Sequence, residues 1–162
     1  MARGLIVGCG CRGLELGGEL RQLGWQVRGT TRTAAGRPPI ERAGFEAAEA
    51  DPHRPGTVLE LCADVAVVVW LLGSASGDAD GVAAVHGPRL ERLLEKLVDS
   101  PVRAFAYEAA GTVNRTLLDD GRRIVERAGE RWRIPVALLS RSRGDSGWAE
   151  RNAAEIAGLL AG

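Results

Sequence analysis

The stretch Gly8-Cys9-Gly10-Cys11-Arg12-Gly13 decides how this chain is read. It follows the apolar run Leu5-Ile6-Val7 and precedes a segment in which Leu16, Leu20 and Leu23 recur at helical spacing. A strand, a glycine turn and a helix are therefore expected in succession. Glycines at this spacing suit a pyrophosphate. The first permits a tight turn, the second lets backbone approach the phosphates, and the third lets the helix pack close to its strand. The helix N-terminus then presents free N–H groups to the anion. Gly8, Cys9, Gly10, Cys11, Arg12 and Gly13 are accordingly the first candidate dinucleotide contacts.

Downstream, Gly24-Trp25-Gln26-Val27-Arg28-Gly29-Thr30 reads as a helix end followed by a strand whose exit is Thr31-Arg32. In dinucleotide folds the position about 20 residues beyond the glycine turn meets the adenosine ribose; an acid there selects NAD, and an arginine accommodates a 2′-phosphate. Thr31 lies 18 residues beyond Gly13 and Arg32 lies 19, and no Asp or Glu occurs between Glu19 and Glu41. NADP is expected rather than NAD, held by Thr31 and Arg32, with Arg12 as a second contact to the phosphate.

Residues 33–43 read as a loop with at most a short helix, since Pro38 and Pro39 interrupt a longer one. A short strand over 44–50 ends at Asp51-Pro52, and Pro55 opens a third helix carrying Val58, Leu61 and Cys62 on one face. Val65 to Leu72 is nearly all apolar and rich in β-branched residues, as a central parallel strand covered on both faces should be. Leu71 and Leu72, at its exit, are counted with the cofactor contacts. The flexible run Gly73 to Gly81 is expected to lie over the cofactor as a lid. Leu90, Leu93, Leu94, Leu97 and Val98 mark a helix beginning at Pro88. A strand over 101–107 leads to Glu108. The long helix after it turns Leu117, Gly121, Ile124, Val125, Ala128 and Trp132 inward, and a sixth strand spans 134–139. Asp145 or Ser146 caps the last helix. Strands alternating with helices imply an α/β, doubly wound Rossmann sheet of six parallel strands in the order 3-2-1-4-5-6, with helices on both faces and a single domain over 1–162.

Composition narrows the partners. The 21 basic residues balance 21 acidic ones without long like-charge runs, which argues against nucleic acid and anionic membrane. Met1-Ala2-Arg3-Gly4 leads straight into the first strand, so a cytoplasmic location is expected. Cys9, Cys11 and Cys62 suggest no disulfide framework, and because no second Cys or His pair has ligand spacing, no metal is expected.

With these pieces placed, residues 3–143 resemble the NAD(P)-binding domain of the short-chain dehydrogenase/reductase superfamily, extended or atypical branch. The likeness is carried by Ile6 to Gly13, Gly24 to Arg32, Asp51 and Val102 to Gly111. It implies that Asp51 contacts the adenine amino group and that the helices at 88–98 and 113–131 form a homodimer interface. The apolar strip of Leu90, Leu93, Leu94 and Leu97 agrees with such an interface.

The catalytic part of the pattern is absent. The family's proton donor is a Tyr followed four residues later by a Lys. Here the sole tyrosine, Tyr107, is followed by Gly111, and the sole lysine, Lys96, is preceded by Arg92. Glu108-Ala109 replaces the family's hydroxyl pair, and residues 144–162 supply one helix in place of a substrate region. Two functions follow: an NADP(H)-binding sensor or interaction module, or an oxidoreductase or epimerase with rearranged groups. In the second, Glu108 is the general acid or base, and Arg141 and Arg143 hold a small anionic substrate. The opposing role for Glu108 is that of an N-terminal residue of the following helix.

Overall fold

A computed structural model describes residues 1–161. Its centre is a six-stranded sheet ordered β3-β2-β1-β4-β5-β6, in which every neighbouring pair is parallel. The strands are β1 (Arg3–Val7), β2 (Gln26–Thr31), β3 (Glu46–Glu49), β4 (Val67–Trp70), β5 (Ala104–Glu108) and β6 (Val136–Leu139). The helices are α1 (Cys11–Gln22), α2 (Arg37–Arg42), α3 (Pro55–Leu59), α4 (Ala79–Val85), α5 (Pro88–Leu97), α6 (Arg115–Trp132) and α7 (Trp148–Gly158). The fold class and strand order match the expectation.

β4, like its neighbour β5, is buried on both faces, and its alternation divides the core. Val68 and Trp70 join Leu90, Leu93, Leu94, Leu97, Phe105 and Val125 beneath α3, α5 and α6. Val67 and Val69 join Ile6, Leu16, Leu20, Ile40 and Ile156 beneath α1, α2 and α7. Each layer buries a continuous apolar set, the arrangement a doubly wound sheet requires. The strand order reverses between β1 and β4, paired through Val7 and Trp70 at their carboxyl ends. That reversal opens a crevice for ligand.

Several local expectations are corrected. The short helix allowed within 33–43 is α2, but Pro38 and Pro39 sit in its first turn and not at its end, because proline's missing N–H costs nothing there. A single 3-10 turn, Ala34–Gly36, precedes them. β3 is shorter than expected. Within the expected loop, Asp78 caps α4 by accepting a hydrogen bond from the Gly81 N–H at 2.6 Å. In α6 it is Leu118, not Leu117, that is buried in the first turns. Neither Asp145 nor Ser146 caps α7, because the left-handed turn at Gly147 intervenes. Finally, Leu90, Leu93, Leu94 and Leu97 are each at most 1% exposed, covered within the chain by α3, α4 and α6. These four leucines therefore belong to the chain's own core and leave no exposed apolar strip on α5. Among the described residues, no helix is long and apolar enough to cross a membrane.

Candidate functional site

β1 exits into Gly8, whose φ of +87° is a conformation that side chains rarely adopt, and a Cβ there would lie 2.7 Å from the Leu71 carbonyl oxygen. Its N–H donates to Thr30 Oγ1 at 3.3 Å, tying the turn to β2. Gly10 differs: a Cβ built on it meets nothing within 4 Å. Gly10 is the N-cap of α1, which has no side-chain cap and no acid in its first turn. The first N–H groups of this 12-residue helix are therefore left for another partner, and the helix dipole favours a negative one. Beneath the turn the Cys9 thiol is buried, and burial pushes its pKa up to about 12. Gly13 is buried against it.

Gly8, Cys9, Gly10 and Cys11 line a groove of about 530 Å³, with Thr31, Leu71 and Leu72 as further walls. It continues, through shared Gly8, Thr30, Thr31 and Leu72, into a pocket of about 210 Å³ bounded by Arg32, Pro52, His53 and Val82. Ala75 and Ser76 border both cavities, so the loop after β4 does lie over the crevice. At the far end Arg32 Nη2 is 3.4 Å from Asp51 Oδ1, and that oxygen also accepts the His53 N–H at 2.9 Å. Burial works against the Asp51 carboxylate, but the His53 N–H and the Arg32 guanidinium outweigh it and hold the carboxyl below its usual range. Of the expected contacts, Gly8, Cys9, Gly10, Cys11, Thr31, Arg32, Leu71 and Leu72 line one continuous crevice, with Asp51 beside Arg32. Arg12 points elsewhere: it bonds Glu15 at 3.0 Å and lies 6.0 Å from the centre of the Trp148 ring.

Glu108 ends β5 and is 1% exposed. Arg143 grips it with two bonds, Nε to Oε2 at 2.8 Å and Nη2 to Oε1 at 2.7 Å, and the Gly73 N–H donates to Oε1 at 2.8 Å. The carboxylate thereby clasps the loops that leave β4 and β6. It does not serve α6, whose N-cap is Asn114, with Oδ1 accepting the Thr116 N–H at 2.8 Å. Arg141 turns away to Asn152 and Glu155 at 2.8 and 2.6 Å. Past Arg143 and Ser74, which border the groove, lies a third cavity of about 580 Å³.

One pairing was hidden in the sequence, where His86 stands alone. His86 Nε2 lies 2.8 Å from the Leu72 carbonyl, which can only accept, so the proton is assigned to Nε2. Nδ1 then accepts from Tyr107 Oη at 2.6 Å. Trp70 Nε1 donates to the Val85 carbonyl at 3.0 Å, so the end of α4 is anchored twice beneath the crevice. Burial lowers the His86 pKa and raises that of Tyr107. Tyr107 is fully buried and presents no phenol to the crevice.

No protein-family model matches the chain, and no curated protein matches it by sequence. Solved structures match by shape. A Bacillus halodurans protein, provisionally named an NAD-dependent epimerase/dehydratase, superposes with a TM-score of 0.76 at 15% identity, over 98% of this chain and 89% of that one. Citrobacter sp. triphenylmethane reductase, solved with NADP(H), gives 0.65 at 17% identity over 88% and 50%. Bacillus cereus UDP-glucuronic acid 4-epimerase, solved with NAD and a fluorinated UDP-sugar, gives 0.59 at 16% over 83% and 54%. The chain spans about half the length of the last two. The shared feature is the fold, a doubly wound α/β Rossmann sheet.

Proposed function

We propose that the chain binds NADP(H) along the crevice, with the pyrophosphate on the N-terminus of α1 and the adenosine 2′-phosphate on Arg32. The observation that carries this reading is the open cradle at Gly10, below a helix end without side-chain cap or acid and continuous with the pocket at Arg32. Among the similar structures one is solved with NADP(H) and another with NAD, which supports a nicotinamide dinucleotide. The choice between the two then rests on Arg32, in a β2 exit that offers no acid.

A bound nicotinamide would donate or accept a hydride. The chain's own residues fit a holding role better than the family's usual proton transfer. Tyr107 is sealed against His86, Lys96 is exposed on α5, and Glu108 is closed in its clasp. Our first reading is therefore a sensor or interaction module responding to NADP(H). A second reading, an oxidoreductase or epimerase, is favoured by the 580 Å³ cavity beside the expected nicotinamide end. In that reading Glu108 is the acid or base and becomes available only when Arg143 releases it. Calorimetric titration with NADP⁺, NADPH, NAD⁺ and NADH tests the common core: the 2′-phosphorylated forms should bind at least about tenfold tighter. Equal affinities would overturn the assignment to NADP.

A further inference from the structure

The third cavity has a charge pattern that the dinucleotide leaves unused. Its walls are the loop after β5, the first half of α6, and Ser140, Ser142 and Arg143 after β6. Helical spacing brings Arg115, Leu118, Asp119 and Arg122 to one face of α6, and all four line the cavity. Arg115 and Arg122 lie two turns apart, roughly 10 Å along the axis. Leu118, between them, is buried and forms an apolar floor. Among the described residues no carboxylate lies within ion-pair distance of Arg115, although Asp119 stands one turn away. Arg122 keeps one bond to Glu126 at 3.2 Å, on the exposed side of the helix. Of the three guanidinium groups on the cavity wall, Arg143 is already neutralised by Glu108 and Arg122 shares its charge with Glu126, so Arg115 is the cation without an ion pair; Asp119 is the single acid in the lining, and Ser74, Thr112, Ser140 and Ser142 stand around them. In a concave site the field of such groups is less screened than on an open face, and it selects anions.

We propose that this cavity binds a small hydroxylated organic anion, a carboxylate or a phosphate ester, with its charged group on Arg115 and Arg122. Its other end lies at Ser74 and Arg143, the two residues that also border the dinucleotide groove. The proposal depends on the NADP(H) reading only for the identity of this neighbour: a substrate if the protein is an enzyme, a second ligand if it is a sensor. The anion site belongs to Arg115 and Arg122; Arg141, bound to Asn152 and Glu155, takes no part.

The test is titration of NADP⁺-saturated protein with glycerol 3-phosphate, with succinate and with uncharged glycerol. The ¹⁵N–¹H signals of the Arg115 and Arg122 side chains and the heat of binding are followed together. Saturable shifts at both arginines are expected with at least one anion and not with glycerol, and the tighter anion identifies the charged group. In the Arg115→Gln/Arg122→Gln variant the anion should bind at least about fivefold more weakly, while NADP⁺ affinity stays within about twofold. Unmoved arginine signals, or anion binding that survives the double substitution, overturn the proposal. Because both side chains lie outside the groove, failure to bind NADP⁺ would refute the cofactor reading separately.

Discussion

Glu108 and Arg143 meet through two hydrogen bonds of 2.8 and 2.7 Å, and the same carboxylate accepts the Gly73 N–H. Three loops from the carboxyl ends of β4, β5 and β6 are thus joined at one buried group. Glu108 is 1% exposed and Arg143 27%, so removing the charge leaves a guanidinium that water reaches only partly. Glu108→Gln should cost about 2–4 kcal/mol in urea unfolding. Converting Arg143 to Gln as well should recover part of that loss, because no unpaired charge then remains. A single variant as stable as the parent would show that the loops are held by something else.

Two glycines of the same turn should respond in opposite ways. At Gly8 the positive φ and the contact with the Leu71 carbonyl make alanine strained, and Gly8→Ala should lose about 2 kcal/mol or more. At Gly10 the backbone is extended and the space open, so Gly10→Ala should change stability by less than about 1 kcal/mol. That added methyl would occupy the surface where the pyrophosphate is proposed to lie. NADP⁺ affinity should fall at least about tenfold in a fully folded protein. Normal binding by Gly10→Ala would remove the pyrophosphate from α1.

What the sequence made legible was local. The glycine spacing of residues 8–13, the alternation around Val67 to Trp70 and the leucine period of 90–97 are each written within a few neighbouring residues. They sufficed for the strand order and the crevice. The partners of Glu108 lie 35 residues away on either side, at Gly73 and Arg143, and His86 meets Tyr107 across 21. Such pairs become neighbours only once strand order has brought particular loop ends together. Neither periodicity nor composition encodes that step. The caps failed for a related reason. Asp78 caps α4 by normal rules although the glycines around it suit a flexible loop, whereas Asp145 satisfies the same rule and is displaced by the turn at Gly147.

Arg32 should set cofactor choice at little structural cost. Its contact with Asp51 is 3.4 Å long and both side chains are more than a third exposed, so the pair is worth at most about 1 kcal/mol. A 2′-phosphate can compete for it. Arg32→Ala should weaken NADP⁺ about tenfold, leave NAD⁺ unchanged and shift unfolding by less than about 0.5 kcal/mol. Persistence of the preference in this variant, measured by calorimetry, would shift it to another residue.

His86 should make stability sensitive to mild acid. Burial lowers its pKa, with the Leu72 carbonyl and the Glu108 charge opposing, so the folded protein favours neutral imidazole. An unfolded histidine takes up a proton near pH 6.5 while the folded one resists, and stability is therefore fully present above about 6.5 and falls as pH drops toward the lowered value. The slope should approach about 1.4 kcal/mol per pH unit at most. Asp51 and Asp64, both held low, act only in stronger acid. Urea unfolding between pH 7.5 and 5 should show this loss, and His86→Gln, which keeps a donor and an acceptor, should flatten it. An unchanged profile in the variant would assign the slope elsewhere.

The three cysteines offer a readout of the crevice without any substitution. Cys11 is exposed and lines the groove as the first residue of α1, whereas Cys9 and Cys62 are buried. Burial pushes the Cys9 thiol up to about 12 and that of Cys62 up to about 11. With a pKa near 12, only roughly one Cys9 in ten thousand is a thiolate at pH 8, and it is screened from reagent as well. Iodoacetamide should therefore label Cys11 first in the native protein, with Cys9 and Cys62 following only on unfolding, as peptide mapping would reveal. A dinucleotide on the N-terminus of α1 covers Cys11 whichever adenosine phosphate it carries. Saturating NADP⁺ or NAD⁺ should then slow Cys11 labelling at least about tenfold, with NADP⁺ effective at the lower concentration. In Arg32→Ala that difference in concentration should close while the protection itself persists. Protection by neither dinucleotide would refute the α1 site, whereas equal protection at equal concentrations would refute only the part assigned to Arg32.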